Sequence, residues 1–181
     1  MKPRLAILSD LWGKEKSDWI KYYLDTLKIY FDISYFDVCD LGCIDKSDYS
    51  EKAIHQQFIA GGLTQAIERL TEEDQNFTYI LGFSIGGYIG WIAILKGLKA
   101  KYLFAISSTR LRYETAKPNA HITLIFGEND TYKPADDWFK QIGLPTKIYQ
   151  NSTHELYKNE EIANKICEFI IKTAMASHIS D

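Results

Sequence analysis

Cysteine is scarce in this chain: three residues in 181, at Cys39, Cys43 and Cys167. An odd, sparse set excludes a disulfide-stapled scaffold and points to reduced thiols. Cys39 and Cys43 stand further apart than a redox pair would, and no second ligand pair completes a zinc site. Long hydrophobic runs are missing as well. The apolar stretch before Asp10, "LAIL" with its neighbours, is too short for the core of a signal peptide. No segment approaches the roughly 20 apolar residues that cross a bilayer. A surplus of positive charge is also absent. Lysine and arginine total 21 against 24 aspartates and glutamates, a net charge of −3. Neither nucleic acid nor an anionic membrane is therefore an expected partner. Lys96, Lys99 and Lys101 cluster locally, as a solvated helix end does. These absences leave a cytoplasmic globular protein.

What is present suits that class. Hydrophobic residues make up 46% and charged residues 25%, enough for one core in a single domain spanning 1–181. Apolar spacing alternates between strand and helix along the chain. Strands are predicted at 4–8, 32–38, 77–83, 100–108, 121–127 and 145–150. Helices are predicted at 15–30, 50–70, 85–97, 134–143 and 159–174. Ser50 caps the second of these, and Gly61-Gly62 are placed to bend or interrupt it. The tail beyond about 174 is expected to fray, and the link 109–120 is too short and mixed to predict as helix. Strands separated by helices imply a three-layer α/β/α sandwich with about six parallel strands.

One stretch stands out: "YILGFSIGGYIGW", residues 79–91. It contains Gly82-Phe83-Ser84-Ile85-Gly86, a G-x-S-x-G pattern that follows a buried strand and opens a helix. That is the context of a nucleophile elbow, where serine sits on a strained turn between glycines. A glycine-softened turn is the plainer reading. A serine hydroxyl is a poor nucleophile alone. It needs a base to accept its proton and an acid to orient that base. The histidines are His55, His121, His154 and His178. In the order Ser…Asp…His, only His154 and His178 follow the acid, and His178 lies in the tail. His154 follows the last strand, in "IYQNSTHELY", at the strand end where ligands gather in open α/β sheets. The acid is Asp130 in "LIFGENDTYKP", with Glu128 in the same loop as its rival. Asp130 also fits a turn or helix cap, and His154 a surface loop.

These motifs together resemble a small member of the α/β-hydrolase superfamily. "GFSIGG" matches that family's elbow, "GENDTYKP" resembles its acid loop, and "NSTHELYKNEEIANKICEFI" resembles its histidine loop and closing helix. The resemblance runs from the first strand to about Ala174. It implies that Ser84, Asp130 and His154 are nucleophile, acid and base, and that the strand order is 2-1-3-4-5-6. The family often carries His-Gly after its first strand. Here Ser9-Asp10 stands in that place. The oxyanion donors would then be the backbone N–H groups of Ile85 and Leu11, with Trp12 as the alternative to Leu11.

The reaction expected is cleavage of an ester or similar acyl bond of a small molecule, with no metal or organic cofactor. A thioesterase or amidase would use the same residues. A non-catalytic binding protein on this fold, and a flavodoxin-like nucleotide or flavin binder, are the rival classes. Trp12 is placed to line the pocket. Arg110 and Arg112 fit either recognition of an acidic substrate or a solvated loop. Only 108–120 joins the fourth strand to the fifth, which leaves no room for a cap domain and predicts a shallow site.

Overall fold

The computed structural model describes residues 2–73 and 76–177. β1 (Arg4–Leu8) leads through a 3-10 turn (Asp18–Ile20) to α1 (Lys21–Leu27), β2 (Asp32–Phe36) and the short α2 (Val38–Leu41). α3 (Glu51–Gln57) and α4 (Leu63–Glu72) come next. They are followed by β3 (Tyr79–Phe83), α5 (Ile85–Leu95), β4 (Tyr102–Ile106) and β5 (His121–Gly127). Then come α6 (Asp136–Ile142), β6 (Thr146–Tyr149) and α7 (Glu160–Ser177). All six strands pair in parallel, in the order β2-β1-β3-β4-β5-β6. This is the architecture and order expected from the sequence.

The alternation of side chains along each strand explains the three layers. Leu5 and Ile7 of β1 bury against Tyr23 and Leu27 of α1 and Ile166 and Ile170 of α7. Ala6 and Leu8 point the other way, into the layer that contains Leu70 of α4 and Ile89 of α5. Both parities are apolar because both faces are covered, the usual state of a parallel sheet.

The chain departs from expectation at several edges. The strand expected at 32–38 ends at Phe36, because the Asp37 carboxylate accepts hydrogen bonds from the N–H groups of Cys39 and Asp40 and starts α2. Four residues of helix carry no periodicity to detect. The helix expected over 15–30 shrinks to the 3-10 turn and α1, since residues 11–16 form turns. Ser50 caps α3 by accepting the N–H of Ala53. The helix after it breaks at a π turn (Phe58–Gly62), where Gly61 takes a φ of 151°. α7 continues past the expected fraying point to Ser177, and His178 lies outside the described residues. Between β4 and β5 there is one 3-10 turn (Thr109–Tyr113) and no cap domain. Among the described residues no helix is long and apolar enough to cross a membrane.

Candidate active site

Ser84 stands between β3 and α5 with φ 50° and ψ −117°, a left-handed conformation that non-glycine residues rarely adopt. The reversal is tight. A Cβ added at Gly82 would lie 2.4 Å from the Cα of Gly87, and one at Gly86 would lie 2.3 Å from the Ser9 carbonyl oxygen. Both neighbours are backbone and cannot give way, so these two positions of the motif admit only glycine. The N–H of Ser84 donates to the Ile106 carbonyl at 2.7 Å, which fixes the elbow against the end of β4.

Three of the expected site residues come together here. Ser84 Oγ lies 3.0 Å from His154 Nε2, and His154 Nδ1 lies 2.9 Å from Asp130 Oδ2. The Asp130 side chain is fully buried, while that of His154 is 31% exposed. Asp130 Oδ1 accepts the N–H of Tyr132 at 3.0 Å. An ionised carboxylate can only accept. The proton of a neutral imidazole therefore sits on Nδ1, and Nε2 offers its lone pair to the serine hydroxyl.

The loops that deliver these groups are tied to each other. Glu128 N–H donates to the Tyr149 carbonyl and Asn129 N–H to that of Ser152, each at 2.9 Å. Glu128, the rival acid, is exposed and accepts the N–H of Asn151 through Oε2 at 3.0 Å. It thus braces the histidine loop without reaching His154. His121 starts β5 at the opposite sheet edge, stacked on Tyr102 with ring centroids 5.0 Å apart. A groove of about 810 Å³ lies at that opposite edge and includes none of the residues around Ser84.

Ile85 opens α5, so its N–H belongs to the unpaired first turn of that helix. The loop after β1 packs onto the same turn, as the closeness of Ser9 to Gly86 shows. In that loop Trp12 N–H donates to Asp10 Oδ1 at 3.0 Å, and so is spoken for. Leu11 N–H has no acceptor among the described residues. The Trp12 ring is half-buried, 5.9 Å from that of Tyr49, with the Lys16 ammonium 4.4 Å from its centre. The Arg110 guanidinium lies 5.3 Å from the ring centre of Tyr88 and 5.7 Å from that of Tyr113. Its Nε is buried without a hydrogen-bond partner. Arg112 donates to the carbonyls of Thr109 and Tyr132, joining this turn to the acid loop.

Two features were not assigned a role from sequence. Asp10, noted only as a departure, is 1% exposed, and its Oδ2 accepts the hydroxyl of Tyr157 at 3.1 Å. Burial pushes the Asp10 carboxyl above its ordinary range. The Trp12 N–H, the Lys158 charge and the Tyr157 hydroxyl act against that shift. Tyr157, pushed well above its ordinary value chiefly by burial, also stands edge-on to His154, with ring centroids 6.3 Å apart. Its one legible signal was its place three residues after His154.

No family model matches the sequence, and no curated protein matches it. Solved structures do. One is a protein ascribed to the α/β-hydrolase superfamily, from Xanthomonas campestris pv. campestris. It is 15% identical, with a TM-score of 0.69, covering 95% of this chain and 99% of that one. A predicted CIB-like hydrolase from Thermoplasma acidophilum is 22% identical, with a TM-score of 0.67 and coverage of 92% and 86%. Est1E from Butyrivibrio proteoclasticus, solved with ferulic acid bound, is 14% identical, with a TM-score of 0.64 and coverage of 94% and 89%. At such identities the likeness is one of fold, and it agrees with the strand order and the elbow: the chain has the α/β-hydrolase fold, in a small form with no cap domain among the described residues.

Proposed function

We propose that this protein is a serine hydrolase that cleaves an ester or similar acyl bond of a small soluble substrate. The observation that carries the reading is the run of hydrogen bonds from Ser84 through His154 to the buried Asp130. His154 Nε2 takes the hydroxyl proton as Ser84 Oγ attacks the carbonyl carbon. The carbonyl electron pair moves onto oxygen, and the N–H groups of Ile85 and Leu11 receive that oxyanion. The tetrahedral adduct collapses, and the imidazolium protonates the departing oxygen. Water, deprotonated by His154, then attacks the acyl-enzyme. The acid leaves and Ser84 is restored. Asp130 keeps the imidazole in its Nδ1–H tautomer and stabilises the imidazolium.

Side chains and backbone N–H groups supply every step. Trp12 and Arg110 form walls of the substrate pocket. Three free cysteines, two of them buried, accord with work in the cytoplasm. The test is covalent. A fluorophosphonate should label Ser84 and no other serine, as located by peptide mapping, and the same protein should hydrolyse short p-nitrophenyl esters. Folded protein that takes up no probe at high concentration would favour a binding role on this fold.

A further inference from the structure

We propose that Asp10 is a positioning residue of this site. It clamps the loop after β1 to the turn that carries the histidine, so that Leu11 N–H is left as the second oxyanion donor. The inference rests on the hydrolase reading above and assigns a task to a buried carboxylate that the reaction itself does not use.

The loop geometry begins with Ser9. Its N–H donates to the Phe36 carbonyl at 3.1 Å, and its hydroxyl accepts the N–H of Val38 at 2.9 Å, which tie the start of the loop to the end of β2. Asp10 then gathers the N–H groups that follow. Its side chain accepts from Trp12 at 3.0 Å and its carbonyl from Gly13 at 3.1 Å. The Leu11 carbonyl accepts the Cys39 thiol at 3.2 Å. The peptide groups around Leu11 are therefore fixed, and of the three N–H groups in 11–13 only that of Leu11 has no acceptor among the described residues. Ser9 abuts Gly86, so the loop that carries this free donor packs onto the first turn of α5, to which Ile85 N–H belongs. Two unpaired donors on adjoining backbone form the arrangement an oxyanion needs.

The second oxygen of Asp10 reaches the other side of the site. It accepts the Tyr157 hydroxyl at 3.1 Å. The Tyr157 ring packs on Phe83, the residue before Ser84, at 5.4 Å, and stands edge-on to His154. Its carbonyl is held by the Tyr23 hydroxyl at 3.0 Å. Tyr157 thus touches the elbow, the base and the donor loop, and Asp10 is what links it to the last of these. No lysine or arginine makes an ion pair with Asp10 among the described residues, so the carboxylate is held in its buried place by the Trp12 N–H and the Tyr157 hydroxyl, with the Lys158 charge acting from further off. A carboxylate is suited to this link because it accepts from both sides at once.

The experiment compares Asp10→Ala, Asp10→Asn and Tyr157→Phe with wild type on a short p-nitrophenyl ester. Active sites are counted by fluorophosphonate titration, so kcat is expressed per reactive serine. Asp10→Ala should lower kcat about 10- to 100-fold with KM changed less than threefold. It should weaken binding of a trifluoromethyl ketone, which mimics the tetrahedral adduct, by a similar factor. Asparagine keeps an acceptor for Trp12 and can donate to the Tyr157 oxygen, so Asp10→Asn should recover most of the loss. Tyr157→Phe removes a single oxygen and keeps the test available should Asp10→Ala not fold. It should lower kcat, and combining it with Asp10→Ala should add little. A kcat per site within threefold of wild type in both Asp10→Ala and Tyr157→Phe would overturn the proposal. So would a loss confined to KM, or one that asparagine does not rescue. Wild type that takes up no probe would instead overturn the hydrolase reading itself.

Discussion

Ser84 is held in a backbone conformation that its own Cβ disfavours, and the cost of that can be measured. Residues in sparsely populated regions cost on the order of 1–3 kcal/mol each. With φ at 50° and ψ at −117°, Ser84 qualifies. Replacing it with glycine relieves the strain but loosens the unfolded chain, a penalty of about 0.4–1 kcal/mol. Replacing it with alanine keeps the strain. Both variants lose the hydroxyl and its bond to His154, so the difference between them isolates the backbone. Ser84→Gly should be more stable than Ser84→Ala by about 0.5–2 kcal/mol. Each kcal/mol moves the melting temperature by roughly 2–4 °C in chains of this size, so the gap should be roughly 1–8 °C. The assay is thermal unfolding of both variants in one buffer, with denaturant unfolding as a second reading. An alanine variant equal to or above the glycine variant would refute the reasoning, and would mean that the elbow relaxes without the constraint of the Gly82 and Gly86 contacts.

Other outcomes follow from the same geometry. His154→Ala should abolish most ester turnover. Asp130→Asn should lower kcat by up to ~10⁴-fold if the tautomer argument applies, whereas Glu128→Gln should act mildly, since Glu128 faces the backbone of Asn151; steady-state kinetics on one ester separates the three. Without a cap, the site buries only a few methylenes at about 0.8 kcal/mol each. Acetyl to hexanoyl esters should therefore show higher kcat/KM than dodecanoyl esters, with no rate jump at the solubility limit. Burial raises the Asp10 carboxyl above its ordinary value of 3.8, so the folded chain grips that proton more tightly than the unfolded chain. The stability this gives is fully present below 3.8 and is lost as pH rises through the folded value. Asparagine does not titrate, so the melting temperature of Asp10→Asn relative to wild type should be higher at pH 7 than at pH 3.

The fold was legible because its signals are local and repeated. Apolar strands, helix spacing, the Ser50 cap and the glycine stops all agree, and the crossover helices leave few strand orders to consider. Ser84 was legible for a different reason: Gly82 and Gly86 are demanded by contacts under 3 Å, so sterics write the motif into the sequence. His154 and the acid loop could be placed by strand ends, but which carboxylate meets the imidazole, Asp130 and not Glu128, shows only in the folded chain, because two carboxylates in one loop differ only in where the backbone turns them. Asp37 and α2 were missed since a capping bond looks like any aspartate in a row of letters. The Asp10–Tyr157 contact was missed for a deeper reason. It joins residues whose only relation is that the sheet brings their loops together.

That last contact spans 147 positions, while the serine and histidine are 70 apart and the histidine and aspartate 24. Contacts of such sequence separation close large loops before they gain anything, which makes them slow to form in folding. A chain that has collapsed, or that has formed its helices and some of its strands, holds an ordinary alcohol at position 84. On the proposed reading, the hydroxyl becomes nucleophilic only when β3, β5 and β6 have all taken their places and the loop after β1 has met the turn after β6. Reactivity is therefore a clock for the final step of refolding. After dilution from denaturant, helical signal should return first and probe labelling last, and no partly folded species should carry a hydrolytic hazard to its neighbours.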